Sequence, residues 1–178
     1  LKRWGKNPVL TWLGSVDRTP ADAAISYRRA LQAGVTFVDE PPPTFDFCVD
    51  ALLGIGASGT RSPEGRLAQW IGLINSAAAP VLAVDLPTGL NADTGQTAQP
   101  CVHAHFTLSL LTLKPGLYTA QGRDACGQVW LDTLGVARRR DTYAPTAWLA
   151  GEPPARVRVH ASHKGSYGDV AVVGGAPG

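Results

Sequence analysis

Apolar and polar positions along the chain follow two rhythms, short continuous apolar runs and longer stretches spaced by three or four residues. Val9 to Leu13 is a run of the first kind, closed by Gly14, and predicts a strand. After Pro20, the spacing of Ala24, Tyr27 and Leu31 predicts an amphipathic helix that Gly34 ends. Val35 to Val38 predicts a second strand and Pro41 to Pro43 a turn. Phe45 to Leu53, apolar nearly throughout apart from Asp46 and Asp50, predicts a strand buried on both faces. Ser62 is placed to cap a helix beginning at Pro63, with Leu67, Trp70, Ile71 and Ile74 along its apolar face. Pro80 to Val84 predicts another strand, ending at Asp85 before an irregular loop marked by Pro87, Gly89, Asn91 and Gly95. Phe106 to Leu113 and Gln128 to Leu134 predict two more. Strands alternating with helices at this spacing imply an α/β fold with a mostly parallel, doubly wound sheet in three layers.

The rhythm breaks after that. Three consecutive arginines, Arg138 to Arg140, are followed by Pro145, Pro153 and Pro154 without periodicity, which predicts a linker over residues 138–160. The strand-and-glycine pattern then restarts between Gly168 and Gly175. The expected organisation is one domain over 1–137 and the first residues of a second over 161–178. The chain opens at Leu1, contains no methionine and stops after a strand and a glycine turn, so it is expected to be an internal piece of a longer protein.

Composition narrows the functional classes. With 44% hydrophobic and 17% charged residues, the chain reads as globular. Its net charge of +2 comes from scattered lysines and arginines rather than a basic stripe, which argues against a nucleic-acid partner. No apolar run approaches the about 20 residues of a membrane span. Cys48, Cys101 and Cys126 are odd in number and contain no CxxC pair. Inert, reduced thiols in a cytoplasmic protein are therefore expected, not a disulfide framework or zinc site. His103 and His105, two apart, would share one face of a strand, but no third metal ligand is evident and a solvated or hydrogen-bonded pair is the favoured reading. The five tryptophans are too dispersed for a ligand platform and are expected to fill core and interfaces.

In an open parallel sheet, ligands bind beyond the carboxyl ends of the strands. Two loops there carry suitable chemistry. The first runs from Asp50 through Gly54, Gly56 and Gly59 to Arg61 and into the predicted helix. Its glycines would let the backbone approach a phosphate, with the helix terminus attracting the anion; taken alone, it is equally a tight turn. The second, Asp85 to Gly95, places a carboxylate at a strand's end with the Thr88 hydroxyl three residues on. By itself this pair reads at least as well as a set of satisfied turn amides.

Together, in order and spacing, the loops resemble the NAD(P)H-hydrate epimerase domain of the YjeF family. The residues that carry the resemblance are Val49-Asp50-Ala51-Leu52-Leu53-Gly54-Ile55-Gly56, Ile74-Asn75, Pro80 to Gly95, Lys114-Pro115-Gly116-Leu117 and Gly127 to Val129. In the tail, His163 to Asp169 and Val172 to Gly175 resemble the opening of the family's ribokinase-like dehydratase domain, which uses ADP or ATP and is otherwise missing here. The family's upstream G-N-N-G-G-D-G phosphate loop, with one potassium ligand, has no counterpart in this chain.

The resemblance implies a Rossmann-like fold and epimerisation of the R and S forms of hydrated NAD(P)H, in a parent protein that also dehydrates the S form. It implies Asp50 and Thr88 as potassium ligands, and nucleotide contacts from Gly54, Ile55, Gly56, Ala57, Ser58, Gly59, Thr60 and Asp85. Asp85 is the candidate general acid and base, since the reaction needs little beyond proton shuttling as hydroxyl leaves and water returns. Lys114 matches a family lysine near the site and is equally readable as a solvated strand-end lysine. The competing functional readings are a dinucleotide-binding module without chemistry and a generic flavodoxin-like domain. A small-molecule dinucleotide is the expected partner; oligomeric state stays open, a homo-oligomer included.

Overall fold

The computed structural model describes residues 1–15, 18–55, 62–136 and 144–151. The chain divides into two compact units, Leu1–Thr142 and Tyr143–Gly178. Of the second, residues 144–151 are irregular and exposed. The expected linker over 138–160 is thus described only in that stretch, and the expected second-domain residues 161–178 lie outside the described residues.

The first unit is α/β with parallel strands. Its order is β1 (Val9–Thr11), α1 (Ala21–Gln32), β2 (Thr36–Val38), β3 (Cys48–Asp50), α2 (Gly65–Ser76), β4 (Val81–Val84), β5 (Phe106–Leu110), α3 (Gly122–Ala125) and β6 (Gln128–Asp132). Among the described residues these strands form two sheets rather than one, β1-β2 and β3-β4-β5-β6, and every pairing is parallel.

Several elements are shorter than the apolar pattern predicts, for local reasons. The strand expected over Phe45 to Leu53 is only β3, and Val49 is 42% exposed, so it is not buried on both faces. The run from Phe106 ends at Leu110 because Leu111 turns to φ 64°, outside the strand region. The last strand ends at Asp132, whose carboxylate accepts the Leu134 N–H at 2.8 Å and turns the chain. Helix α2 starts at Gly65, with an extended Glu64 as N-cap residue that makes no side-chain cap bond. Ser62 is therefore not the cap, and Pro63 is buried ahead of the helix instead of opening it.

The predicted face of α2 is the one that packs. Ile71 and Ile74 join Val81 and Ala83 of β4 with Val102 and Ala104, and Leu67, Leu52 and Cys48 close around them. Each fully buried aliphatic side chain of this kind contributes about 1.5–3 kcal/mol. A second cluster, Leu86, Leu90, Cys101, Leu117, Ala125 and Cys126, underlies the loop after β4. Buried Thr107 and Ser109 on β5 are satisfied, donating to the carbonyls of Cys126 at 2.7 Å and Thr112 at 2.9 Å.

The loop of residues 85–105 lacks a helix yet is tightly tied. Asn75 clamps it from α2, donating to the Cys101 carbonyl at 2.8 Å and accepting the His103 N–H at 2.9 Å. The Asn91 side chain accepts the N–H groups of Asp93 and Thr94, both at 3.0 Å. A Cβ on Gly95 would sit 2.1 Å from the Thr119 carbonyl, and one on Gly116 2.1 Å from that of Asn91. These glycines of the sequence motifs therefore seat the loop against residues 115–119.

His103 and His105 precede β5 and do not share a strand face. Both are exposed, and His105 Nδ1 accepts the Val81 N–H at 3.1 Å, the hydrogen-bonded reading favoured for the pair. Of the tryptophans, Trp70 fills the core, whereas Trp4 and Trp148 are each 79% exposed and fill none.

Candidate functional site

Asp50 ends β3, Asp85 follows β4 and Lys114 follows β5, so three neighbouring parallel strands deliver their chemistry to one carboxyl-end edge. The first group centres on Asp50. It is fully buried, and Oδ2 accepts the Thr88 N–H at 2.8 Å, while Oδ1 accepts the Thr88 hydroxyl at 2.8 Å and the Leu52 N–H at 3.2 Å. Thr88 Oγ1 in turn accepts the Leu53 N–H at 3.1 Å and lies 3.5 Å from the Leu53 carbonyl. Burial pushes the Asp50 carboxyl above its ordinary value, a shift that the hydrogen bonds from Thr88 and Leu52 only partly offset.

Neither of the two ion pairs among the described residues involves Asp50. A buried carboxylate with no ion-pair partner among the described residues, beside a threonine hydroxyl and a backbone carbonyl, is an all-oxygen donor set of the kind hard cations prefer. No group of three or more His, Cys, Asp or Glu side chains suited to a metal occurs among the described residues.

The second group centres on Asp85. Its backbone takes φ 72°, a left-handed conformation that aspartate tolerates better than most residues, and its N–H donates to the Leu108 carbonyl at 2.8 Å. That turn swings the side chain over the end of β5. There Oδ1 accepts the Leu110 N–H at 3.2 Å and pairs with the Lys114 ammonium. The two side chains are only 16% and 12% exposed, so Lys114 is not a solvated strand-end lysine.

The two predicted loops do meet. Thr88 of one binds Asp50 of the other, and a Cβ on Gly54 would lie 3.4 Å from Asp85 Oδ2. Ile55 is 64% exposed. Gly56, Ala57, Ser58, Gly59, Thr60 and Arg61 lie outside the described residues. The residues that sequence reasoning missed are Leu52, Leu53, Ser109 and Leu110. All but Ser109 act through the backbone, which leaves no mark on side-chain identity.

Residues 2–116 match the family described as YjeF-related protein N-terminus. The chain belongs to that family. It is 35% identical over 175 residues to the bifunctional NAD(P)H-hydrate repair enzyme Nnr of Escherichia coli strain K12, covering 89% of this chain and 32% of the relative. It is 38% identical over 128 residues to the NAD(P)H-hydrate epimerase of Pirellula staleyi, covering 66% of this chain and 56% of that protein. The YjeF-related chain thus spans about a third of the length of the E. coli relative. The crystal structure of yeast YNL200c superposes with a TM-score of 0.63 at 20% identity, over 77% of this chain and 59% of that one. That likeness establishes the α/β fold.

Proposed function

We propose that the protein carrying this chain epimerises the R and S forms of hydrated NAD(P)H, with Asp85 as general acid and base. The carrying observation is Asp85 itself, a carboxylate held at a strand's end with one oxygen tied down and the other turned toward the Gly54 loop. Relatives named as NAD(P)H-hydrate epimerase and repair enzymes point to the same chemistry.

The reaction needs few groups. The ring nitrogen's lone pair expels the neighbouring hydroxyl as water, and the resulting iminium takes up water on its other face. Asp85 supplies the proton as the hydroxyl leaves and takes one up as water returns. Gly54, Ile55 and the loop through Thr60 are read as holding the nucleotide, where small side chains admit close backbone approach. Asp50 and Thr88, with the Leu53 carbonyl, are read as holding potassium, which when bound would offset the buried charge and stabilise the phosphate side of the site. In this reading residues 1–137 belong to the epimerase domain, and the parent protein adds dehydration of the S form with ADP or ATP in a domain that begins within 161–178. A cytoplasmic location suits that repair role.

The test is interconversion of purified hydrated NADH epimers by the protein expressed from its complete reading frame, with and without potassium. Turnover that Asp85→Asn abolishes is the expected result. Nucleotide binding without any turnover would instead establish a dinucleotide-binding module.

A further inference from the structure

We infer that Lys114 is a positioning residue that makes the Asp85 carboxylate one-sided, so that Oδ2 alone works on substrate. An ammonium has three donors, and all three of this one are committed: to Asp85 Oδ1, to Ser109 Oγ at 3.2 Å and to the Leu110 carbonyl at 2.8 Å. The Leu110 N–H adds a second donor to the same carboxylate oxygen at 3.2 Å. Among the described residues, both groups that bind the carboxylate end on Oδ1, and Oδ2 faces Gly54.

The geometry follows from the backbone. Asp85 follows β4 at φ 72° and Leu111 follows β5 at φ 64°, and Lys114, four residues beyond the end of β5, spans from the Leu110 carbonyl to the Asp85 carboxylate. With 12% of its side chain exposed and every donor engaged, Lys114 fixes the carboxylate's rotation and has no free hydrogen to offer a substrate. Gly54 completes the device. A Cβ there would touch Oδ2 at 3.4 Å, ordinary contact that leaves the backbone undisturbed yet covers that oxygen.

This inference rests on the epimerase reading, and the experiment separates the two. The rates of epimer interconversion by the complete protein are compared for Lys114→Met, Lys114→Arg, Gly54→Ala and Asp85→Asn. Lys114→Met is expected to lower kcat about 100-fold, on the scale of misplacing one acid–base group, with KM nearly unchanged. Lys114→Arg, which keeps the charge, should recover part of that loss. Gly54→Ala should lower kcat/KM at least about tenfold with an unchanged Tm, and it decides the question if Lys114→Met fails to fold. A Lys114→Met protein with lowered Tm but full kcat, or a fully active Gly54→Ala protein, overturns the one-oxygen assignment. An active Asp85→Asn protein overturns the epimerase reading itself.

Discussion

Helices α1 and α2 are both 12 residues long, yet α1 buries no residue completely while α2 buries Trp70, Ile71 and Ile74. Around α1, Tyr27 meets the rings of Trp12 and Phe37 edge-on, at 5.8 Å and 4.7 Å between centroids. Ile25 and Leu31 stay 40% and 48% exposed. Around α2 lies a continuous aliphatic cluster that includes β4, and the strand-end carboxylates rise directly from that strand and from β3. The difference teaches that the candidate site stands on the better-packed part of the chain. A site whose geometry must hold to a fraction of an ångström is supported by the elements least free to move.

The largest test removes the chemistry without the scaffold. Asp85→Asn should lower epimer interconversion by about 10²- to 10⁴-fold while Leu31→Ala, in the other region, leaves turnover near wild type. Comparable losses from both would mean that the two regions form one functional unit.

Next in size is stability. Ile71→Ala should cost about 2–5 kcal/mol in denaturant unfolding, a cavity in a fully buried cluster, and Leu31→Ala about 1 kcal/mol or less. Equal costs would break the comparison.

A smaller effect is expected from Asp50. Because burial raises its folded-state pKa above the ordinary 3.8, the ionised form is the costly one. Its contribution to stability is fully present below that ordinary value and is lost as pH rises through the raised one. Asp50→Asn should flatten this part of the Tm–pH curve measured in choline chloride, and replacing choline by potassium should raise the wild-type Tm above that range by a few degrees. A wild-type curve indifferent to the cation would remove Asp50 from the proposed potassium site.

The smallest effect concerns the thiols. Burial pushes Cys101 to about 12 and Cys48 and Cys126 to about 11, with Asp50 adding to the shift at Cys101 and Cys48. All three should stay protonated at neutral pH and take up iodoacetamide only slowly by intact mass until the protein is denatured. Rapid labelling of Cys101 in the native protein would show that the loop over the second cluster opens.

Much of this was legible in the sequence, and the reasons are local. The apolar run that ends at Asp85 marks a strand end whatever surrounds it, and the 3.6-residue spacing of Leu67, Trp70, Ile71 and Ile74 marks the buried face of α2. The order of the six strands with α1 and α2, their parallel pairing and the acidic end of β4 therefore needed no coordinates, whereas α3 and the division into two sheets did. Element limits were less legible: Ser62 and Pro63 carry every local signal of a helix start, yet α2 begins at Gly65.

What only the tertiary structure decided is which groups face one another. Thr88 meets Asp50 across 38 positions of chain and Lys114 meets Asp85 across 29, distances at which no periodicity constrains a side chain. The direction of Asp85 depends on a left-handed backbone turn, and its partner Leu110, like Leu52 and Leu53 beside Asp50, contributes an N–H that every residue but proline possesses. Residue identity along the chain names the candidate groups; the side-by-side placement of three parallel strands sets their hydrogen bonds, because only the folded backbone fixes where each donor points.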